Sequence, residues 1–182
     1  MADDNFSPQA FRAHSTATTD GFTRMRHYAA TQWRRVFGLN VSQIDGMLYV
    51  GGQFRATQWP RLYALGIRAV LSLQAEYEDE FDGPPPERTL RLLVPDFYSP
   101  TIGQLHEAVR FVRDAHGDGL ATLVHCHAGV GRAPLTAAAY LVSQGETSRA
   151  ALERLQRARP IIGLNQPQLS RLAEWERVVR GS

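Results

Sequence analysis

The chain has 182 residues, of which 43% are hydrophobic and 21% charged, a composition that excludes collagen-like, repeat and wholly disordered architectures. Its 20 basic residues against 18 acidic ones leave a formal net charge of +2, too little to argue for a nucleic-acid partner. A chain of this length buries about 70% of its unfolded surface, enough for one enclosed domain without disulfides. No apolar run approaches the ~18 residues of a membrane span, and the opening MADDNFSPQAFR lacks the charged-then-apolar order of a secretory signal, so a cytoplasmic protein is expected.

Residues 1–22 are small and polar, and read as a flexible N-terminal arm. Over 23–38, Met25, Tyr28, Ala29, Trp33 and Val36 follow helical spacing between Thr23 and Gly38, with Arg24, Arg26, Arg34 and Arg35 making the helix basic. The remainder, 39–182, reads as one domain in which strands and helices alternate. Short β-rich runs fall at Met47–Val50, Ile67–Leu73, Leu90–Val94 and Leu120–His125. Helical runs fall at Thr57–Leu65, Ile102–Ala115, Pro134–Ser143, Ser148–Ala158 and Pro167–Val179. This order predicts an α/β domain with a central, mostly parallel sheet covered by helices on both faces. LATLVH reads as a strand buried on two sides, so a ligand is expected beyond its carboxyl end. Between Gln74 and Arg88, the stretch AEYEDEFDGPPPE carries six carboxylates and three consecutive prolines, and reads as an exposed, partly polyproline loop.

The chemistry concentrates in LVHCHAGVGRAPLTAAAYL. Cys126 is the only cysteine, which leaves no intramolecular disulfide and no multi-cysteine metal site. No lysine occurs anywhere, which removes a Walker A site and Schiff-base chemistry. The strand ending at His125 is followed by a turn from Cys126 to Arg132 containing Gly129 and Gly131, and then by a helix with Pro134 in its first turn. Such a turn curls the N–H groups of His127, Ala128, Gly129, Val130, Gly131 and Arg132 around one point, and the helix N-terminus adds its positive end: a cradle for a tetrahedral oxyanion. The same groups stabilise a thiolate at Cys126. Arg132 returns to the mouth of the cradle with a planar fork that holds two phosphoryl oxygens at once.

Cys126 to Arg132 resembles the His-Cys-x5-Arg signature loop of the cysteine-dependent protein phosphatases, and HCHAGVGR is similar to its dual-specificity branch. LYVGGQF, VPDFYSPT and RARPIIGLN extend the resemblance over about residues 40–179. It implies a metal-independent, cofactor-free phosphatase that hydrolyses phosphate monoesters, phosphotyrosine and phosphoserine/threonine of proteins among them, through a phosphocysteine intermediate. Cys126 is then the nucleophile, Arg132 the phosphoryl clamp and Asp96 in VPDFYSPT the general acid, with Phe97, Tyr98 and Pro100 on the rim. His125 is expected to order the loop, Asn165 to brace it, and His127 to add charge at its mouth. Gln166 and Gln168 read as surface residues at a helix start.

The sequence departs from the family at two positions. Leu164 stands where a proline is usual, and Ala133 follows the arginine where Ser or Thr is usual. The family hydroxyl stabilises the departing thiolate, so Ala133 is expected to slow hydrolysis of the phosphoenzyme. Arg-Ala-Pro also resembles the plant glucan phosphatases, which keeps phosphorylated glucan, sugar or lipid head groups as alternative substrates. A low-turnover phosphate-binding module is the reading from a different class.

Overall fold

The computed structural model describes residues 38–181; the expected arm over 1–22 and nearly all of the basic helix over 23–38 lie outside the described residues. The elements in chain order are β1 (Val41–Gln43), β2 (Leu48–Gly51), a 3-10 turn (Ala56–Gln58) leading into α1 (Trp59–Ala64), β3 (Ile67–Ser72), β4 (Arg88–Arg91), α2 (Ile102–Gly117), β5 (Ala121–His125), α3 (Arg132–Ser143), α4 (Ser148–Ala158) and α5 (Gln166–Arg180). They build one five-stranded sheet in the order β1-β2-β5-β3-β4. Only the β1–β2 pair is antiparallel; the other three pairings are parallel. The expected mostly parallel α/β sheet is therefore present.

The strand pattern explains why helices cover both faces. Along β5, Leu123 packs with Tyr49, Trp59, Leu62, Ile67 and Val70 on the α1 side, while its neighbour Val124 joins Val50 and Leu71 on the other. Successive side chains of a strand point to opposite faces, so an unbroken apolar run needs two cores. The larger core lies under α2 to α5. At its centre is α3, whose residues Arg132 to Val142 are all buried. Ala133, Ala137, Ala138 and Ala139 keep that helix narrow enough for close packing, and Trp175 of α5 donates Nε1–H to the Ala139 carbonyl at 2.9 Å. The N-termini of α2, α4 and α5 are capped by side chains: Thr101 accepts from Gln104 N–H, Thr147 from Ala150 N–H and Asn165 from Gln168 N–H.

Several boundaries differ from expectation for identifiable reasons. β1 was not expected, because three residues carry no readable period. The turn that joins it to β2 is set by Asp45, whose Oδ1 accepts from Met47 and Leu48 N–H at 2.9 and 2.8 Å. The fourth strand occupies Arg88–Arg91, not Leu90–Val94. Its ladder with β3 ends at Ser72↔Arg91, after which Leu92 donates to Ser72 O, Val94 turns back onto Leu92 O, and Pro95 has no N–H to continue. The helix after the cysteine turn begins at Arg132, two residues before Pro134, which sits inside its first turn. The run Thr57–Leu65 splits at Gln58 into the 3-10 turn and α1, with Pro60 in the first turn of α1.

The centre of this sheet is where a site is built. β5 lies between β2 and β3, with His125 opposite Gly51 on one side and Ser72 on the other. The segments leaving the carboxyl ends of these three strands are Gly51-Gly52, the Cys126–Arg132 turn and the acidic stretch after Leu73.

Candidate active site

The turn after β5 is held from outside by its carbonyl groups. His127 O accepts from Gln53 N–H at 3.0 Å, Ala128 O from Asn40 Nδ2 at 3.3 Å, Gly129 O from Arg159 Nε at 2.7 Å, and Val130 O from Gly163 N–H at 3.0 Å. The C=O and N–H of one trans peptide unit point in opposite directions, so fixing these carbonyls outward turns the N–H groups of Ala128, Gly129, Val130 and Gly131 inward. Cys126 is the group they face: Gly129 N–H lies 3.3 Å from its Sγ, and the thiol is buried. Gly129 has φ 69°, and a Cβ there would fall 2.5 Å from the backbone of Gly51 and 2.6 Å from Arg159. A Cβ on Gly52 would meet Asn40 at 2.3 Å. Glycine at both positions lets β2's exit and the turn touch backbone to backbone.

Arg132 opens α3 and is 1% exposed. Its Nη1 corner is fully engaged, donating to Val94 O at 2.6 Å, Leu73 O at 3.2 Å and both oxygens of Glu76 at 3.1 and 2.9 Å. The opposite edge differs. Nε and Nη2 are buried and have no hydrogen-bond partner among the described residues. Asp96 Oδ1 lies 2.9 Å from Nη2, an ion-pair distance without hydrogen-bond alignment. A guanidinium fixed at one corner thus presents its two-donor edge beside the cysteine turn. Buried donors of this kind are rarely left unmatched, and they are suited to two oxygens of a tetrahedral anion.

Asp96 is half-exposed and belongs to the loop between β4 and α2. Its Oδ1 accepts from Phe97 N–H at 3.0 Å, and its own N–H donates to Glu76 Oε1 at 2.7 Å. Phe97 is the only non-glycine among the described residues with positive φ, at 66°, and it projects 77% exposed. The peptide is held there from α5: Asn165 Nδ2 donates to Phe97 O at 2.7 Å and Gln168 Nε2 to Tyr98 O at 3.2 Å. Asp96, distant in sequence, is thus brought to the same end of the sheet as Cys126, Arg132 and the N–H groups of the turn.

Asn165, Gln168 and His125 take positions unlike those expected, while His127 lies where it was expected. Asn165 was expected to brace the cysteine turn; its hydrogen bonds go instead to Phe97 and to Gln168 N–H. Gln168 was expected at the surface, yet it is buried and its amide lies 2.8 Å from where a Cβ on Gly131 would be. His125 is buried, and its Nε2 bonds Asp79 Oδ2 at 2.8 Å, so its partner is the acidic stretch and not the turn. His127 sits at the mouth, with Nδ1 3.0 Å from Gln53 Oε1 and its ring stacked 5.9 Å from Tyr77.

The acidic stretch requires the largest correction. It is not simply exposed: Glu76 and Asp79 turn inward to Arg132 and His125, and Phe81 packs on Trp59 with ring centroids 4.8 Å apart. The Trp59 indole N–H anchors the proline run by donating to Pro84 O at 2.6 Å. Partial burial of Glu76 works against its charged form. The hydrogen bonds and charge of Arg132, with the N–H groups of Glu76 and Asp96, outweigh that and hold its pKa below the ordinary glutamate value.

Two further residues went unnoticed in the sequence. Arg159 is 4% exposed and clamps Gly129 O, Ala128 O, Asn40 Oδ1 at 2.6 Å and Ser42 Oγ at 3.3 Å. Asn40, also buried, completes that contact from the segment before β1. The local signal was slight: an arginine before proline among twenty arginines.

Comparison with known proteins identifies the family. The family model described as dual specificity phosphatase, catalytic domain, matches residues 48–178. The human protein dual specificity protein phosphatase 12 is 34% identical over 128 residues, covering 68% of this chain and 38% of that protein. Mouse protein phosphatase Slingshot homolog 3 is 29% identical over 145 residues, 78% of this chain and 22% of its own length. The chain thus spans well under half of the curated relatives it matches. Among solved structures, PTPMT1 in complex with PI(5)P superposes with a TM-score of 0.71 at 26% identity, covering 78% of this chain and 97% of that one. The active form of Tk-PTP gives 0.68 at 28% identity, over 75% and 96%. With the family model covering most of its length, the chain belongs to the dual-specificity phosphatases, by their catalytic domain.

Proposed function

We propose that this domain hydrolyses phosphate monoesters through a phosphocysteine intermediate. One observation carries the reading: Arg132, whose buried Nε and Nη2 have no hydrogen-bond partner among the described residues, closes the same turn whose N–H groups face inward and whose Gly129 N–H lies 3.3 Å from Cys126 Sγ. Sγ attacks phosphorus in line and forms the S–P bond as the P–O bond to the leaving group breaks. The turn N–H groups and Arg132 hold the three equatorial oxygens, and Asp96 gives its proton to the departing oxygen. Asp96, now a carboxylate, takes a proton from water as that water attacks phosphorus, which releases Cys126 and inorganic phosphate.

Phosphotyrosine and phosphoserine/threonine in proteins are the substrates this reading favours. Glu76 and Asp96 stand beside Arg132, and acids so placed disfavour a polyanionic partner. A lipid or other non-protein monoester is the second reading, favoured by the structural likeness to a phosphatase solved with PI(5)P. Rapid-mixing hydrolysis of p-nitrophenyl phosphate, without metal, by wild type and Cys126→Ser tests the chemistry. A burst of about one nitrophenolate per enzyme, followed by slower turnover and absent in Cys126→Ser, is the expected result, with Ala133 as the origin of the slow second phase. Linear turnover dependent on Cys126 keeps the phosphatase and removes that role for Ala133. No Cys126-dependent release from folded protein overturns the reading in favour of a phosphate-binding module. A panel of phosphopeptides and phosphoinositide vesicles then separates the two substrate classes.

A further inference from the structure

A cavity of about 540 Å³ opens between the segment that leaves β2 and the acidic stretch that leaves β3. Gln53, Phe54 and Arg55 line it from the first, and Tyr77, Glu78 and Glu80 from the second. None of these residues belongs to the phosphoryl cradle, yet the lining touches both chain neighbours of Cys126. The Phe54 ring lies 5.2 Å from that of His125, which precedes Cys126. Gln53 Oε1 lies 3.0 Å from Nδ1 of His127, which follows it, and Tyr77 stacks on the same imidazole at 5.9 Å. A substrate whose phosphoryl group occupies the cradle therefore presents this cavity with a side chain that flanks the phosphorylated residue.

The chemistry of the lining selects among flanking groups. Phe54 is a fixed apolar wall, its ring 6.0 Å from that of Trp59 and 5.9 Å from that of Phe81. Both ends of the amide of Gln58, a further lining residue, are committed: Oε1 accepts Arg55 N–H and Nε2 donates to Gly38 O, each at 2.9 Å. The groups left to meet a ligand are ionic and aromatic. Glu80 has no ion pair among the described residues, and Glu78, 82% exposed, has a loose one, 3.6 Å from Arg91. Asp79 between them turns away to His125. Two carboxylates thus stand against one guanidinium, that of Arg55, and Tyr77 adds a half-exposed ring. An anionic cavity with an aromatic face attracts a cation and repels a second phosphoryl group. We infer that this cavity is a specificity subsite for an arginine or lysine side chain beside the phosphorylated residue of a protein substrate. The inference rests on the phosphatase reading above and narrows its substrate class to phosphopeptides with a basic flank.

The test is kcat/KM of the full chain for phosphotyrosine peptides in which Arg, Ala or Glu is placed in turn at each position flanking the phosphotyrosine. Each value is divided by that for p-nitrophenyl phosphate with the same variant, so that only the flank is read. At one flanking position wild type should prefer Arg over Ala by about five- to tenfold, the size of an exposed ion pair reinforced by a ring, and added salt should shrink the preference. The double variant Glu78→Gln/Glu80→Gln should reduce it to less than about twofold, and Glu80→Arg should make the Glu peptide the better substrate. The subsite is overturned if wild type treats the Arg, Ala and Glu peptides alike at every position, or if its preference for Arg survives the double variant. A wild-type preference for Glu would assign the cavity to Arg55 and overturn it as well. So would a rise in kcat/KM toward every substrate in the double variant, which would give the cavity to this chain's own Arg34 and Arg35, just before the Gly38 that Gln58 holds. Absence of Cys126-dependent hydrolysis would fail the phosphatase reading and not the subsite. The order of the peptides, with the same outcomes, is then read from their binding to the same proteins by fluorescence anisotropy.

Discussion

The two sides of the site are built on different terms. The cysteine turn is tied down at four successive peptides: the carbonyls of residues 127–130 have partners outside it, two of them backbone N–H groups, and Arg159 behind it is almost fully buried. The Asp96 side is an exposed loop whose Phe97 and Tyr98 stand 77% and 68% open to solvent, fixed by hydrogen bonds donated by Asn165 and Gln168 and by its own Asp96 N–H donating to Glu76. Electrostatic stabilisation of a transferring phosphoryl group requires donors whose positions are set beforehand. Delivery of a proton to leaving groups of varied shape requires a group that can adjust. Under the proposed phosphatase reading, the contrast between a rigid cradle and an open Asp96 loop is the division of labour that chemistry needs.

The cradle side should show the largest effects. Arg132→Ala removes the two-donor edge and leaves Glu76 facing an unfilled corner; a fall of about 10²–10³-fold or more in kcat/KM for p-nitrophenyl phosphate is expected, by analogy with the loss of one preorganised donor. Arg132→Lys should be nearly as poor, because an ammonium cannot present two parallel donors. Retention of most of the rate by either variant would break the assignment of the cradle to phosphoryl binding.

Next is Gly129→Ala. A left-handed φ strains any side chain, and the added methyl meets Gly51 backbone at 2.5 Å, so the turn must shift or the strands must part. We expect a loss of about 3 kcal/mol in chemical denaturation, from strain and overpacking together, with activity falling by a larger factor than the occupied fold accounts for. Wild-type stability in this variant would show that the turn is not rigid, and the contrast with the acid loop would dissolve.

How much of this was legible in the sequence follows from how local each feature is. The strand, turn and helix from Leu123 to Pro134 were readable because periodicity, cysteine, glycines and arginine are contiguous, and the sheet followed from its alternating elements. Asp96 was reachable through the resemblance of VPDFYSPT to its family counterpart, since an aspartate after an apolar run and before a helix is by itself an ordinary turn residue. What failed were residues whose meaning comes only from partners far along the chain. Arg159 contacts Asn40 119 positions away, and Glu76 contacts Arg132 at a separation of 56. In the sequence each is one charge among many, and an acidic run reads as solvated until the fold shows which carboxylates face inward. Asn165 and Gln168 show the same in smaller measure. Asn165 read as a brace for the cysteine turn and Gln168 as a surface residue at a helix start, and neither reading showed that the free ends of both amides would reach across to the Asp96 loop.

On the acid-loop side the effects should be smaller and fall on different quantities. Asn165→Ala removes both the α5 cap and the bond to Phe97 O. The cap alone is worth about 1 kcal/mol, so a stability loss of this size is expected in denaturation, together with a several-fold fall in kcat that is greater for poor leaving groups. An unchanged kcat would mean that Asn165 is a helix cap and nothing more for the loop.

The smallest and most discriminating change is Phe97→Gly. Phenylalanine at φ 66° with its ring in solvent is unfavourable on two counts: backbone strain of about 1 kcal/mol and an exposed apolar surface. Glycine removes both but also widens the unfolded ensemble, and the two effects on stability partly cancel, so a change within about 1 kcal/mol is expected. Activity should separate the alternatives. If the fold holds this ring at the mouth to meet the substrate beside the phosphoryl group, Phe97→Gly raises KM for phosphotyrosine peptides several-fold while leaving that for p-nitrophenyl phosphate nearly unchanged. If the left-handed turn exists only to aim Asp96, glycine adopts it without strain and both substrates keep their KM. The first outcome makes the open side of the site a recognition surface, and the second makes it only the mounting for a proton donor.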